Sequence, residues 1–194
     1  LQFSPGLEEY ALLLAFEDTL HKYGDRDFIV FDMAPTALTL RFFSLPFITL
    51  IWLEELLTLR SEIYRKKEII SKIKIAGREI EQDRVKAKLQ SLIGNYEHLR
   101  EHFLADTTRV NLVMNNDKLS FSEAFRISKK LTDISIVIDR IVINKLHADE
   151  STAGIENEFK DQKIARLRLA PEGLTGYEVL KNYIEANTEA FQSL

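Results

Sequence analysis

The sequence contains no cysteine and only seven glycines, and these two shortages exclude several kinds of site. Without cysteine there is no disulfide, no thiolate zinc site and no cysteine nucleophile, and the chain suits a reducing compartment. A phosphate-binding loop needs clustered glycines, so that backbone N–H groups approach the phosphates, and a lysine that reaches them. The glycines here are scattered, and no Gly-Lys pair occurs. These 194 residues therefore contain no recognisable phosphate-binding loop.

The net charge of −4 gives no general electrostatic reason for binding nucleic acid. Residues 1–9 have neither the basic start nor the long apolar core of a secretory signal, so a cytoplasmic location is expected. The most apolar stretch, residues 40–57, includes Arg41, Pro46 and two glutamates, and its uncharged part is too short for a membrane-spanning helix. We expect a buried or partner-facing helix there, with a membrane-surface role as the alternative.

Helix-like and strand-like segments alternate along most of the chain. Apolar residues recur at helical spacing over 5–23, and Gly24 is expected to end that helix. A second helix, 120–131, begins with Ser-Phe-Ser-Glu, which resembles a capping box. Alternation of this kind predicts an α/β fold with a mostly parallel sheet. The predicted strands are 27–32, 109–114, 140–144 and 165–169, and a last helix is predicted at 175–190.

Residues 56–103 interrupt this alternation, because they contain no proline and no strand signal. Their second half carries apolar residues at steps of four and three, which is typical of a helix packed against another helix. Gly77 is a candidate turn, so a hairpin of two long helices is predicted. The region 60–88 has ten basic and five acidic residues. Such a mixture indicates a solvated helix face, or alternatively a contact with an anionic surface.

Asp32 ends the apolar run "DFIVFD" and is followed by "MAPTALTLR". An acid at the carboxyl end of a buried strand lies where α/β folds place ligands. In P-loop ATPases an acid in this position helps to hold magnesium or its waters. The same pattern also fits a polar residue that closes a core strand, so the residue type alone leaves both interpretations open.

The residues after Asp32 resemble a known switch motif. "DMAPTALTLR" is similar to D-T-A-P-T-G-H-T-L-R of the arsenical pump-driving and tail-anchored-protein-targeting (anion-transporting) ATPases, and "RFFSLP" continues the match. "SPGLEEYALL", "KLSFSEAFRISKKL", "IVINKL" and "RLAPEGLTGYEVLKNY" follow the family's order. The resemblance covers nearly the whole chain outside the helical insertion. It implies a deviant P-loop NTPase fold with a doubly wound sheet and a helical subdomain for clients.

The resemblance also implies roles for particular residues around ATP and magnesium. Asp32 is similar to the switch aspartate near the magnesium ion and its water, so it is the candidate catalytic and metal-site residue. Pro35, Thr36 and Thr39 resemble the loop that follows the state of the nucleotide.

The purine side of the site is implied by three residues near the C-terminus. Asn144 resembles the asparagine that contacts the purine ring, and an amide can pair with the edge of adenine. Its alternative role is that of a strand-terminal asparagine bonded to the backbone. Pro171 and Glu172 resemble the loop that closes over the other side of the base.

The chain departs from the family pattern within the switch motif. Ala37 and Leu38 replace the family's glycine and histidine, and Met33 replaces a threonine. The cysteines that bind zinc or metalloids in family members are absent. In the family, the phosphate-binding loop precedes the strand that ends at Asp32, and this sequence begins after it. The prediction is that the chain does not hydrolyse ATP alone, although the resemblance implies an ATP hydrolase when the chain is joined to that part.

Three domains are expected from the resemblance and the helical pattern together. Residues 1–55 form the switch half of a partial NTPase core that lacks the P-loop strand. Residues 56–104 form the inserted helical subdomain, and residues 105–194 form the C-terminal part of the core with the adenine-site loops.

His98 and His102 have the i, i+4 spacing that can present two imidazoles to one metal ion. No H-E-x-x-H motif is present, and apolar residues lie between the two histidines, so exposed helix-face histidines are the simpler interpretation.

Two functional hypotheses follow. The first is the C-terminal part of a soluble ATPase that couples ATP binding and hydrolysis to client or partner binding. The second is a non-catalytic helical interaction module on a degenerate NTPase scaffold. The expected partners are a second copy of the chain or the P-loop part, together with an apolar protein client or a membrane-associated partner.

Overall fold

The computed structural model describes residues 7–33, 37–73, 83–170 and 173–192. The chain divides into two compact units, the first ending at Ala105 and the second beginning at Asp106. Within the described residues the first unit is helical and the second unit is a small α/β assembly.

The first unit contains three helices: α1 (Leu7–Tyr23), α2 (Ala37–Ile73) and α3 (Arg84–Leu104). Helix α2 has 37 residues and is therefore about 55 Å long. It begins inside the switch motif and includes the whole apolar stretch that follows. Pro46 lies within it and is fully buried, although a proline removes one helical hydrogen bond and disfavours a straight helix.

Five aromatic rings form the centre of the first unit, and we call them the phenylalanine cluster. Neighbouring ring centroids are 4.6–5.5 Å apart, mostly in tilted or edge-to-face arrangements that suit aromatic quadrupoles. All three helices contribute to it, so the cluster fixes their mutual packing. Its members are Phe16 of α1, Phe31, Phe42 and Phe43 of α2, and Phe103 of α3.

A bidentate ion pair joins the two long helices at the other end of the hairpin. Arg60 of α2 donates from Nε and Nη2 to the carboxylate of Asp83, at 2.9 and 3.0 Å. Asp83 is also the N-cap of α3, where it accepts from the backbone N–H of Lys86. One carboxylate therefore both caps α3 and holds it against α2. The two long helices of the predicted hairpin are present, and the candidate turn at Gly77 lies outside the described residues.

The second unit contains a three-stranded parallel sheet in the order β1-β2-β3, as the alternating pattern predicted. The central strand is the most buried, with Ile141 and Ile143 at 0% exposure. In chain order the elements are β1 (Val110–Asn115), α4 (Lys118–Asp133), β2 (Ile138–Leu146), α5 (Ala153–Glu158), β3 (Lys163–Arg168), α6 (Tyr177–Ala186) and α7 (Thr188–Gln192).

The predicted buried strand at 27–32 is wrong. The segment 28–33 has no regular secondary structure, no described strand pairs with it, and the sheet is formed by β1, β2 and β3 alone among the described residues. Phe28 and Val30 are 89% and 90% exposed, whereas Phe31 is anchored in the phenylalanine cluster. A strand needs hydrogen-bonded neighbours, and the described part of the first unit is helical and supplies none.

Two predicted helix boundaries also differ from those in the structure. Helix α4 is capped by Asp117, whose carboxylate accepts from the N–H groups of Leu119 and Ser120, so the Ser-Phe-Ser-Glu capping box is not used. The predicted last helix is divided at Asn187 into α6 and α7. Gly176 precedes α6 with φ +92 and ψ 155, a conformation that essentially only glycine adopts.

Helix α2 has one buried face and one exposed face over its apolar part. Its residues 37–69 are long and apolar enough to cross a membrane by length and composition, contrary to the expectation that the run is too short. The helix nevertheless buries Phe42, Leu50 and Leu53 within the first unit. The core helix of a soluble protein passes the same test, so composition alone does not distinguish the two cases.

Candidate functional site

Asp32 is exposed and lies on the segment 28–33, which has no regular secondary structure and contributes Phe31 to the phenylalanine cluster. Its neighbour Phe31 packs against Phe16 of α1 with ring centroids 4.6 Å apart. The aspartate is therefore held at the end of an anchored segment, although that segment is not a strand. Among the described residues, no group of three or more His, Cys, Asp or Glu side chains could hold a metal ion.

The two ends of the stretch from Asp32 to Arg41, which we call the switch segment, are both fixed in the phenylalanine cluster. Phe31 precedes the segment, and Phe42 and Phe43 follow it. Phe31 and Phe42 both contact the Phe16 ring, at 4.6 and 5.5 Å between centroids. A displacement of the switch segment would therefore act directly on the packing of the three helices.

An ion pair fixes the carboxyl end of the switch segment to α1. Arg41 donates from Nη1 to Oε1 of Glu9 at 3.0 Å, and Glu9 is buried while the Arg41 side chain remains largely exposed. Backbone hydrogen bonding at the start of α1, and then the hydrogen bond from Arg41, hold the pKa of Glu9 below its ordinary value. Sequence reasoning missed Glu9, since its partner is 32 residues away along the chain.

The second half of the switch segment is helical from Ala37 onward. Alanine favours the helix by roughly 0.5–1 kcal/mol relative to glycine, so the departure from the family's glycine fits a helix start at this position. Leu38 and Thr39 are half-buried in the first turn. Pro35 and Thr36 lie outside the described residues, so the roles implied for them stay predictions.

Asn144, in the second unit, lies near the carboxyl end of the central strand β2 and pairs in register with Asn115 of β1. Its side-chain Oδ1 accepts from the backbone N–H of Lys145 at 2.9 Å. The asparagine thus makes the backbone hydrogen bond that was considered as its alternative role. Its amide Nδ2 is the group that can donate to a ligand. Pro171 and Glu172 lie outside the described residues.

The backbone beside Asn144 has an unusual conformation that no sequence signal predicted. Lys145 has φ +54, in the left-handed region that a lysine rarely adopts. The pairing between β2 and β3 shifts register between Ile143 and Leu146, at the same place. Strained backbone of this kind is common at functional sites, and here it lies directly beside Asn144.

A second asparagine ties together the loops at this edge of the sheet. Asn116 donates from Nδ2 to Oε2 of Glu150 at 3.2 Å and to the carbonyl of Ser151 at 3.4 Å. The loop after β1 is thereby fixed to the loop after β2. The carboxyl edge of a parallel sheet is the place where open α/β folds bind ligands, and these contacts keep that edge ordered.

The described residues do not by themselves form a complete binding site for ATP and magnesium. They supply one exposed carboxylate, Asp32, and one amide, Asn144, on two different units. No described loop provides the clustered glycines and lysine that a phosphate group needs, in agreement with the sequence. Any complete nucleotide site therefore needs residues beyond those described.

Comparison with known proteins identifies relatives along the chain. The sequence matches the family described as anion-transporting ATPase over residues 1–186. The ATPase get3 of Schizosaccharomyces pombe is 28% identical over 93% of this chain and 59% of that protein. A protein of Aquifex aeolicus, provisionally named arsenical pump-driving ATPase 2, is 25% identical over 94% of this chain and 64% of its own length. The ATPase GET3A of Arabidopsis thaliana is 28% identical over 92% of this chain and 56% of that protein.

These matches confirm the resemblance seen in the switch motif and in the segments that follow it. The chain spans about six tenths of the length of the first two of these relatives. A mixed α/β structure with a parallel sheet and long helices agrees with part of a P-loop NTPase fold. The chain belongs to the anion-transporting ATPase family.

Proposed function

We propose that this chain is the switch and client-binding part of an ATPase, in which the switch segment controls the position of the helical hairpin. ATP binding and hydrolysis is the event that moves Asp32, and the phosphate-binding loop belongs to sequence outside these 194 residues. Asp32 is assigned to the magnesium ion through a water molecule. Pro35, Thr36 and Thr39 are assigned to sensing the nucleotide.

One observation carries this proposal: α2 begins within the switch segment and continues without interruption for 37 residues into the hairpin. A helix transmits displacement along its length because its backbone hydrogen bonds are internal. Arg41 and Phe42 connect the first turns of α2 to α1, through Glu9 and Phe16. Pro46 follows one helical turn after Phe42, and a helix bends most easily at a proline because one hydrogen bond is missing.

We assign the purine side of the nucleotide to the carboxyl edge of the second unit. Support comes from the position of Asn144 beside the register shift in β2 and from the ordered loops after β1 and β2. The Asn144 amide Nδ2 would donate to a ring nitrogen of adenine. Pro171 and Glu172 are assigned to the opposite face of the base.

The exposed face of α2 is the proposed client surface. It carries large apolar side chains at helical steps of three and four, so they form one stripe along the helix. A stripe of this kind is typical of a surface that receives an apolar protein segment or an amphipathic helix. The apolar stripe consists of Ile48, Ile51, Trp52, Leu56, Leu59 and Ile63, and Trp52 is 67% exposed.

The test of the nucleotide role uses the full-length protein with Asp32→Asn. We expect ATP turnover to fall by about 100-fold or more, because a group that supports transition-state charge is lost, while ATP still binds. Asp27→Asn is the matched control, since Asp27 is a nearby exposed aspartate on the same segment. Equal turnover in wild type and Asp32→Asn would refute the assignment. The 194-residue chain alone is expected to show no turnover.

The competing function is a non-catalytic interaction module. Ala37 and Leu38, which replace the family's glycine and histidine, and the apolar stripe favour it. In that case the full-length protein binds its client equally well with and without ATP. A binding assay with an apolar helical peptide distinguishes the two, with Ile51→Glu and Leu59→Glu as disrupting variants and Thr58→Glu as the control on an exposed neighbouring position.

The remaining assignments concern the assembly and its location. We propose that the protein works in the cytoplasm as a homodimer or paired with the P-loop part, and that its client includes membrane-associated proteins. The exposed Phe28 and Val30 support an additional contact, because two large exposed apolar side chains close together in the chain are suited to a contact with a further protein segment. Sedimentation of the full-length protein, with and without ATP, tests the dimer.

A further inference from the structure

We propose that His98 and His102 form a binding site for a late first-row divalent metal ion such as Zn²⁺ on the surface of α3. Both histidines lie on the last two turns of the helix, one residue away from the buried pair Leu99 and Phe103. The i, i+4 spacing therefore places the two imidazoles next to each other beside the buried face.

The geometry of the two rings fits a single ion. Their Nε2 atoms are 3.2 Å apart, and the ring centroids are 4.5 Å apart. Two nitrogens bound to zinc at about 2.0–2.1 Å with a tetrahedral angle of about 109° would be about 3.3 Å apart. The rings thus hold their donor atoms at about the separation that a bound ion requires.

Glu101 lies near the outer ring nitrogen of His98, beyond hydrogen-bonding distance. Its Oε2 lies 4.0 Å from Nδ1 of His98, on the ring nitrogen that does not face His102. A carboxylate on the outer nitrogen of a ligating histidine favours the tautomer with the proton there and leaves Nε2 as the donor to metal.

A metal ion can replace the hydrogen bond between the two histidines without a net gain or loss of protons. In the metal-free pair, one Nε2 carries a proton and donates to the other. When the ion binds, each Nε2 gives a lone pair to it, and the displaced proton moves to Nδ1 of the same ring through solvent. Both imidazoles stay neutral, so no other group in the protein has to titrate.

The site would have two protein ligands and open positions for water, since no group of three or more possible ligands occurs among the described residues. Imidazole suits Zn²⁺, Cu²⁺ and Ni²⁺, whereas Mg²⁺ prefers oxygen. A bound ion would bridge one turn of α3 and stabilise the helix end that holds Phe103 in the phenylalanine cluster.

Calorimetric titration of the untagged 194-residue chain with ZnCl₂ tests this site. We expect one Zn²⁺ per chain, with affinity about 100-fold or more lower in His98→Gln and in His102→Gln, and about 10-fold lower in Glu101→Gln. His21→Gln is the matched control, because it removes an exposed histidine near the end of α1, and it should bind zinc like wild type. Mg²⁺ should give no heat at these histidines.

A second measurement keeps the test independent of folding defects in the variants. Zinc should raise the thermal unfolding midpoint of wild type and shift the imidazole signals of His98 and His102 in an NMR spectrum. The double variant His98→Gln/His102→Gln should show no zinc-dependent change in the midpoint. The proposal is overturned if the double variant still binds zinc like wild type, or if wild type takes up none at about 1 mM Zn²⁺.

Discussion

Replacement of Phe103 by alanine is the most direct perturbation of the phenylalanine cluster. Phe103 is 4% exposed, and its ring contacts Phe16, Phe42 and Phe43 at 5.1–5.3 Å between centroids. A buried aromatic side chain covers about 150–250 Å², which at about 25 cal/mol per Å² corresponds to about 4–6 kcal/mol. The retained Cβ reduces this value and the cavity adds to it, so we expect a loss of about 3–5 kcal/mol.

The fluorescence of Trp52 follows unfolding of the first unit, because it is the only tryptophan of the chain and lies on α2. With a urea slope of about 2 kcal/mol per M, the expected loss lowers the unfolding midpoint by about 1.5–2.5 M. Phe28→Ala is the matched control: Phe28 is 89% exposed, and its replacement should change stability by no more than about 0.5 kcal/mol. Equal midpoints for the two variants would refute the role of the cluster.

Three further predictions concern the hairpin, the start of α6 and the start of α2. Arg60 holds the pKa of Asp83 below its ordinary value of 3.8, so the stability that this carboxylate contributes is present above that pH and is lost as the pH falls through the lowered pKa. Acid titration of Trp52 fluorescence should therefore show a weaker pH dependence in Asp83→Asn, and an unchanged profile would contradict the ion pair. Gly176→Ala should lower the free energy of unfolding of the second unit by about 1–3 kcal/mol, measured by circular dichroism. Gly154→Ala should not have this effect, because the backbone at Gly154 is unstrained. Ala37→Gly should lower the free energy of unfolding by at most about 1 kcal/mol and should make amide exchange faster in the first turn of α2. Slower exchange would contradict a helix start at this position.

The parallel sheet could be predicted from sequence because each strand has a local signal and the helices between them are regular. The predicted strand 140–144 falls within β2, which extends further in both directions since its flanks also pair with β1 and β3. The cap of α4 was misplaced because Asp117 and Ser120 are both good cap residues three positions apart, and only the backbone geometry decides between them.

The helix expected over residues 40–57 begins three residues earlier in the structure, at Ala37, and this earlier start was not expected because the threonines of the switch motif signal a loop. Burial of Pro46 and of the phenylalanines around it outweighs the lost hydrogen bond, and the helix continues through the proline. The helix expected over residues 40–57 is present as part of α2, which begins at Ala37 and ends at Ile73.

The candidate site was predicted in part. Asp32 was singled out from its place at the end of an apolar run, but that run is not a buried strand, and the site role of Asp32 stays a prediction. Asn144 was placed correctly at the carboxyl end of β2. The Glu9–Arg41 ion pair and the left-handed Lys145 were not predicted, since the first depends on packing between distant segments and the second on a register shift with no sequence signature.

The central claim is that the switch segment controls the hairpin through α2. Amide hydrogen exchange of the full-length protein with and without ATP measures this directly at the first turns of α2 and along the apolar stripe. The account predicts that ATP changes exchange at both places in wild type and in Asp27→Asn, and at neither place in Asp32→Asn. An ATP-dependent change along the apolar stripe that persists in Asp32→Asn, or no change there in wild type, would contradict it.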